Sequence, residues 1–191
     1  MSTVPRPPRS RTPIKQAAVQ LFVEKGIHAS GIRDIAQAAG CSEAALYRHW
    51  KNKESLIRAL FREHVEEVVA LLDQALTNNG TARQRLHAGV CAAYQLYDAQ
   101  PHVFRFVLMA QHEFGPYLPA DVRMPQEVIE DLVRELKPAS KQPIPLLAAA
   151  MIGIFVECSN RVIYGHLPGP LHTYSDAVTS MCLRVLELDQ P

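Results

Sequence analysis

Hydrophobic residues recur along this chain at the three- and four-residue spacing of helices, with no convincing alternating stretch bounded by hairpin turns. Proline and glycine clusters separate the helical segments, because proline lacks an amide hydrogen and glycine favours helix ends. Besides two short helices within residues 30–53, the pattern predicts helices at about residues 12–26, 52–78, 81–99, 101–114, 125–137, 145–165 and 175–188. The sequence therefore predicts an all-α fold.

Residues 30–53 have the pattern of two short helices joined by a tight turn. Two helices that cross closely need a small residue at the contact, a residue that tolerates positive φ in the turn and an apolar anchor on the second helix. Ala36, Gly40 and Leu46 occupy those three places. Ser30 and Ser42 are predicted to cap the two helices with their hydroxyl groups. This arrangement is typical of a helix-turn-helix that binds DNA.

Basic residues are concentrated towards the N-terminus. Residues 1–62 contain eleven Lys or Arg and four Asp or Glu, whereas the remainder contains nine and fifteen, so the near-zero net charge hides a basic head and an acidic body. Such a division attracts a polyanion to one end of the molecule and repels it from the other. Residues 1–11 contain three arginines, and we expect a disordered tail that is either solvated or follows a DNA groove.

Features of targeting, membrane insertion and metal binding are not evident in the sequence. The first twelve residues are polar with no apolar core to follow, and the longest apolar run, residues 146–156, is about half the length that crosses a bilayer. The four cysteines form no Cys-x-x-Cys pair, which argues against a zinc ribbon or a dithiol redox site. We expect a cytoplasmic protein without a membrane segment or a cofactor.

Several motifs surround the predicted turn: Ile-Arg-Asp-Ile-Ala at 32–36, Ala-Gly-x-Ser at 39–42, Leu-Tyr-x-His at 46–49 and Lys-x-Lys-Glu at 51–54. With these motifs, and with Ala18, Phe22 and the stop at Gly26 in the first helix, the chain resembles the TetR family of bacterial transcriptional regulators from about residue 14 to residue 60. The resemblance implies a three-helix DNA-binding head and a homodimer on double-stranded DNA. The third helix of each head would enter the major groove at one half of a palindromic operator.

The resemblance also implies which residues contact DNA. The family's phosphate-contacting and base-contacting positions correspond to Ser30, Gly31, Ser42, Ala45, Tyr47, His49 and Lys53. Three charged residues of the same segment are further candidates: Arg33, Glu43 and Arg48. Family members often carry a basic residue and a glycine where this chain has Glu43 and Ala44, so the sequence that it recognises is expected to differ.

Elementary chemistry supports several of these assignments. Tyr47 and His49 are two residues apart on a short helix, so they point to different sides and cannot both be buried. Lys53 lies at a predicted helix N-terminus, where an external anion would offset the unfavourable helix dipole. Arg48 is predicted to contact either guanine, with two hydrogen bonds, or a phosphate. Glu43 either accepts a hydrogen bond from a cytosine amine or stabilises the start of its helix.

The body is predicted to hold a ligand pocket and a dimer interface, as the resemblance implies. Aromatic and sulfur-containing side chains between the long helix and residue 137 are the pocket candidates, with burial in the core as the alternative: Tyr94, Phe104, Phe106, Met109, His112, Phe114 and Tyr117. Apolar residues at helical spacing in the last two helices are the interface candidates, with burial inside one protomer as the alternative: Leu147, Met151, Ile154, Phe155, Cys158, Val162, Val178, Met181, Cys182 and Val185.

These observations predict a basic tail (1–11), a helix-turn-helix domain (12–55) and a helical regulatory and dimerisation domain (56–191). The predicted function is a dimeric repressor that a small-molecule effector releases from its operator. A ligand-independent DNA-binding factor and an activator of the same fold are the alternatives. An enzyme is disfavoured, because the sequence contains no Gly-x-Ser-x-Gly, no His-Glu-x-x-His and no phosphate-binding loop.

Overall fold

The computed structural model describes residues 11–77, 79–114 and 121–188, with the side chains of residues 111–114 left aside. Within these ranges the chain forms helices and connecting loops without a strand. The α-helices of the described chain are α1 (Arg11–Lys25), α2 (Ile32–Ala38), α3 (Glu43–Tyr47), α4 (Lys53–Leu76), α5 (Ala82–Ala99), α6 (Pro101–Phe114), α7 (Pro125–Leu136), α8 (Ile144–Ile163) and α9 (Ser175–Val185). A single turn of 3₁₀ helix, Leu171–Tyr174, precedes α9. The predicted all-α fold is confirmed.

Local hydrogen bonds explain where several helices begin and end. Asn52 Oδ1 accepts from the Ser55 amide at 2.8 Å, so Asn52 caps α4 as its sequence position predicts. Thr81 and Gln84 form a reciprocal capping box at the start of α5, at 2.9 and 3.3 Å. Gly26 follows α1 with a φ of 89°, a conformation that ends a helix and favours glycine. The α4 helix ends at Leu76, and its predicted end at residue 78 lies outside the described residues.

The described chain divides into two compact units. Unit 1 contains residues 11–64 and 102–114, which are α1, α2, α3, the first half of α4 and nearly all of α6. Phe22 of α1 stacks on Phe106 of α6 with ring centroids 6.0 Å apart, and both side chains are fully buried. Unit 1 therefore extends beyond the predicted boundary at residue 55 and includes a helix that the sequence analysis assigned to the body.

Unit 2 contains residues 65–101 and 121–188 and has its own apolar core. The core side chains with at most 2% exposure come from α5, α7, the 3₁₀ turn, α9 and the residue just after α9: Tyr94, Val133, Leu171, Val178, Cys182, Leu183 and Leu186. By length and composition alone, α8 could cross a membrane, but it packs against α7 and α9 within this unit. The apolar character of α8 is thus partly explained by its place in a protein core.

A carboxylate at the end of α5 holds the 3₁₀ turn. Asp98 accepts hydrogen bonds from the amides of Leu171 and His172 at 2.8 and 3.0 Å, and from His172 Nδ1 at 2.7 Å. Burial opposes ionisation of this carboxyl group, but the hydrogen bonds from the two amides and from the imidazole outweigh it and lower the pKa of Asp98. Asp98 therefore ties α5 to the segment that leads into α9.

We expect Asp98→Asn to lower the free energy of unfolding by about 1 kcal/mol at neutral pH, because charge-assisted hydrogen bonds are lost. The folded-state pKa of Asp98 lies below its unfolded value, so its contribution is present above about pH 4 and disappears as the pH falls through the folded-state pKa. Urea unfolding at several pH values should therefore show a flatter acid limb for the variant. Asp176→Asn, at a side chain 90% exposed, is the control with a smaller expected effect, and equal acid limbs for Asp98→Asn and wild type would contradict the assignment.

Candidate nucleic-acid interface

A short, closed turn joins α2 to α3. Gly40 has a φ of 65°, which favours glycine, and the amide of Cys41 donates to the carbonyl of Ala36 at 2.9 Å. Ser42 caps α3 as predicted, since its Oγ accepts from the Ala45 amide at 3.3 Å. These bonds fix the entry of the chain into α3, the helix that the sequence analysis predicts to meet DNA.

The structure corrects the role of Ser30. Its side chain is fully buried, with Oγ 2.8 Å from the carbonyl oxygen of Gly26 and 3.1 Å from that of Leu21. The Gly26 carbonyl lies just past the end of α1 and needs a donor, because no later turn of helix supplies one. The N-cap of α2 is Gly31 and not the predicted Ser30, and the Gly31 amide donates to Asp34 Oδ2 at 2.9 Å. Ser30 is therefore a buried structural residue, and its hydroxyl is not available to DNA in this conformation.

The outward face of α3 carries polar side chains. Tyr47 is 51% exposed, and Glu43, Arg48 and His49 are also exposed, whereas Leu46 is 1% exposed and anchors the helix. The remaining predicted contacts in this region are exposed or half-buried: Gly31, Arg33, Ser42 and Ala45. The residues that reach solvent beside α3 thus include a phenol, a guanidinium, an imidazole and a carboxylate. They are groups that can bond to phosphates or base edges.

The Lys53 ammonium is already satisfied inside unit 1. Its Nζ donates to the carbonyl oxygens of Ile27, Ser30 and His28 at 2.9, 3.2 and 3.4 Å. An ammonium has three hydrogens, and these three acceptors match them. The sequence analysis inferred an external anion from the position of Lys53 at a helix N-terminus. In the structure, carbonyl groups of the loop between α1 and α2 offset its charge, so Lys53 ties α4 to that loop.

Several basic side chains of the head lack a partner. Within the described chain, Arg33, Arg48 and Lys51 are exposed and make no hydrogen bond or ion pair. Four arginines of unit 2 instead bind carboxylates, in the pairs Arg85–Glu135, Arg123–Asp73, Arg134–Asp131 and Arg161–Glu157. Unpaired cations beside α3 leave a positive field that a polyanion can neutralise.

The predicted ligand residues do not form one site in the described structure. Tyr94 is fully buried in unit 2, where its hydroxyl donates to the Phe155 carbonyl at 3.2 Å and its ring stacks on Phe155 at 4.5 Å. Burial raises the pKa of this phenol, which stays protonated. Phe106 and Phe104 are buried in unit 1, and Met109 is 37% exposed there. Of the other predicted residues, His112 and Phe114 have no described side chains, and Tyr117 lies outside the described residues.

Tyr94 and Phe106 thus pack in the cores of unit 2 and unit 1, which is the alternative that the sequence left open for them. A cavity of about 300 Å³ does exist in unit 2, but none of the predicted ligand residues line it. Its wall carries Arg85, Arg123, Asp73, Asp131 and Glu135, which are mostly paired with one another. The described part of unit 2 thus presents a polar, ion-paired depression at this place.

The predicted dimer face needs a partial correction. Leu147, Met151, Val178 and Cys182 are buried within one protomer, so their contacts are intramolecular. Burial also raises the pKa of the Cys182 thiol to about 11, consistent with its place in the core. Five of the other predicted residues are half-buried, namely Ile154, Phe155, Cys158, Val162 and Val185. Met181 is 44% exposed.

The sequence analysis missed the exposed face of α8. Leu146 is 55% exposed, and Ala149, Ala150 and Gly153 are exposed along the same helix. Their spacing of three and four residues puts them on one face, so they form a strip of small and apolar side chains open to solvent. Helical spacing predicted an apolar face on α8, of which Leu147 and Met151 pack inward, while the exposed strip lies beside them.

Bacterial regulatory proteins of the TetR family match this chain over residues 14–60, from α1 into α4. The HTH-type transcriptional activator FasR of Mycolicibacterium smegmatis is 33% identical over 120 residues, or 63% of this chain and 55% of FasR. The uncharacterised HTH-type transcriptional regulator YvkB of Bacillus subtilis is 29% identical over 176 residues, or 92% of this chain and 89% of YvkB. The chain thus spans about half the length of FasR and most of YvkB.

The fold of a solved regulator extends over most of this chain. The transcriptional regulator FadR from Bacillus subtilis, solved in complex with stearoyl-CoA, superposes with a TM-score of 0.72 over 91% of this chain and 97% of FadR. At 17% identity this likeness concerns the fold alone. The family match on the helix-turn-helix, the two relatives and the shared all-α fold agree, and the chain belongs to the TetR family of bacterial transcriptional regulators.

Proposed function

We propose that this protein is a dimeric transcriptional repressor that binds a palindromic operator and leaves it when a small molecule binds. The observation that carries the proposal is the exposed surface at the end of α3, where Tyr47 and the two residues after the helix, Arg48 and His49, reach solvent on a head with unpaired cations. Duplex DNA supplies the phosphates that such cations attract and the base edges that such side chains recognise. The two relatives are named as transcriptional regulators, which favours a regulatory role in the cytoplasm over an enzymatic role.

The proposed contacts follow from the position of each side chain on α3. The Tyr47 hydroxyl would donate to a phosphate, while Arg48 would contact guanine or a phosphate. Glu43 is the first residue of α3, where its negative charge interacts favourably with the helix dipole. Its carboxylate therefore stabilises the start of the helix whether or not it also accepts a hydrogen bond from a cytosine amine. Two copies of α3 would lie roughly 34 to 36 Å apart for half-sites one helical turn apart.

The proposed release acts through α4, which belongs to both units. Its N-terminus is tied to the loop between α1 and α2 by Lys53, and its C-terminal half lies in unit 2. An effector that prefers a different position of that half would displace the head from its DNA-binding geometry. Its differential affinity for the two conformations sets the size of the effect, typically 1 to 3 kcal/mol or about 5-fold to 150-fold in operator affinity.

The sign of regulation depends on where the operator lies relative to the promoter. A repressor blocks polymerase by overlapping the promoter, whereas an activator binds upstream of it. FasR is named as an activator, which supports activation as the second candidate. In vitro transcription from a template carrying the selected operator distinguishes the two, since added protein lowers transcript yield in one case and raises it in the other.

We expect Tyr47→Ala to weaken operator binding by about tenfold or more without changing the melting temperature, because Tyr47 is exposed and its loss leaves no cavity. Lys53→Met should instead lower the melting temperature, by about 2 to 4 °C per kcal/mol lost, because three carbonyl groups lose their donor. Fluorescence anisotropy and thermal unfolding of both variants make the comparison. Equal melting temperatures for Lys53→Met and wild type would contradict a stabilising role for the hydrogen bonds between Lys53 and the loop after α1. Unchanged operator affinity in Tyr47→Ala would contradict the proposed contact between Tyr47 and DNA.

The dimer is proposed to form through the exposed sides of α8 and α9. We expect Met181→Arg to give a folded monomer that binds a two-half-site operator about 100-fold more weakly, because an arginine would be desolvated without a partner and bivalent binding would be lost. Met109→Arg is the matched control, since Met109 is similarly exposed but lies in unit 1. Sedimentation velocity measures the assembly state, and a dimeric Met181→Arg protein would rule out this interface.

Acyl-CoA thioesters of increasing chain length are the first effector probes, since FadR of Bacillus subtilis was solved with stearoyl-CoA. We expect a saturable loss of operator affinity with at least one chain length, within the range given above, and no effect of coenzyme A alone. Anisotropy titrations at fixed operator measure the loss, and native mass spectrometry measures binding directly. A ligand that binds without changing operator affinity, or a panel that does not bind at all, would favour the ligand-independent alternative.

A further inference from the structure

The first residue of α1 reaches the end of α3. Arg11 Nε donates a hydrogen bond to His49 Nδ1 over 3.3 Å, although 38 residues separate them in sequence. Both residues are exposed. The His49 ring also meets the Trp50 ring edge-on, with centroids 5.5 Å apart and an interplanar angle of 66°. The imidazole thus has two fixed neighbours on a surface otherwise open to solvent.

This hydrogen bond determines which imidazole nitrogen carries the proton. Arginine is always charged and only donates, so His49 Nδ1 must be unprotonated to accept, and Nε2 then carries the hydrogen. His49 offers one N–H donor in a defined direction. Arg11 keeps its two terminal nitrogens, which bond to nothing else in the residues that the structure describes. Two basic side chains in contact therefore present several donors and no free acceptor.

The charges next to this pair in the sequence are also positive. Arg48 and Lys51 flank His49 and Trp50, and both are exposed without a partner in the described ranges. In unit 2, by contrast, arginines such as Arg85 contact carboxylates at close range, here 2.6 Å. A cluster of exposed cations and oriented N–H groups that lacks its own carboxylate fits a row of phosphates.

We propose that Arg11 belongs to the DNA-binding surface, where it holds the His49 ring and bonds to a phosphate beside the major groove that α3 enters. The inference rests on the proposed DNA-binding function and adds a residue to it. Arg11 has a positioning role through Nε and a contact of its own through the terminal nitrogens. The interface then extends from α3 to the start of α1, beyond the helix-turn-helix itself.

The experiment uses the full chain and an operator selected from random DNA with the wild-type protein. Arg11→Ala should raise the dissociation constant about tenfold and make the slope of log affinity against log salt concentration shallower by about 1, because one phosphate contact is lost. Arg11→Lys keeps the charge, so it should restore the slope. Lys141→Ala removes one charge from an exposed loop of unit 2 and should bind like wild type.

The positioning role has a separate readout. In the free protein, the ¹⁵N chemical shifts of the His49 ring should report hydrogen on Nε2, and Arg11→Ala and Arg11→Lys should both move them, because neither has the Nε donor. The double variant Arg11→Ala/His49→Ala should lose less affinity than the product of the two single losses, because Arg11 acts partly through His49. Melting temperatures within error of wild type confirm that the variants fold.

The outcomes separate this inference from the function on which it rests. If wild type binds its operator and Tyr47→Ala weakens that binding, but Arg11→Ala keeps the wild-type affinity and salt slope, the inference is overturned and the proposed function stands. Multiplicative losses in the double variant, or unchanged His49 shifts, overturn the positioning role. If wild type binds no duplex DNA at low salt, the proposed function fails and this inference fails with it.

Discussion

The helix that we propose reads DNA, α3, is too short to be stable by itself. α3 contains five residues, whereas isolated helices shorter than about 12 to 15 residues are marginal in water. Its geometry therefore comes from what surrounds it: the Ser42 cap, the closed turn at Gly40 and the burial of Leu46 and Trp50. The rest of unit 1 can be understood as the support for one exposed turn of helix, which explains why its interior is mainly apolar while the side chains on the outward face of α3 are mainly polar.

The need to support α3 also explains why two polar residues near it form hydrogen bonds inside unit 1. Ser30 and Lys53 both supply hydrogens to carbonyl groups at the end of α1 and in the loop that follows. A loop that leaves a helix exposes unpaired carbonyl groups, and burying them without donors would be costly. Sequence motifs identified both positions as special but not the reason. The acceptors of Lys53 lie 23 to 26 residues away in the chain, beyond the reach of any local pattern.

Helix positions were predictable because caps and breakers are local signals, and Asn52, Thr81 and Gly26 mark the boundaries that they predict. The phase of an apolar helix is not local. α8 has apolar residues around most of its circumference, so spacing alone could not tell that Leu147 and Met151 pack inward while Leu146 and Ala150 face solvent. The sequence could not assign the aromatic residues to a pocket or to the core, for a related reason. Tyr94 fits a ligand cavity and a protein core equally well by composition, and only its contact with Phe155 distinguishes them.

The pairing of individual charges says more about the affinity of a surface for DNA than the net charge does. The formal charge of +1 would suggest no preference for DNA, and the division between a basic head and an acidic body suggests one only in outline. At physiological salt the Debye length is about 8 Å, so a phosphate responds to the charges beside it and hardly to the rest of the chain. In unit 2, Arg123 bridges Asp73 and Asp131, and its charge is compensated at contact distance. In the head, Arg48 and Lys51 have no such compensation within the described chain. The lack of a carboxylate paired with these two cations, more than the excess of arginine and lysine, is what makes this surface suited to a polyanion.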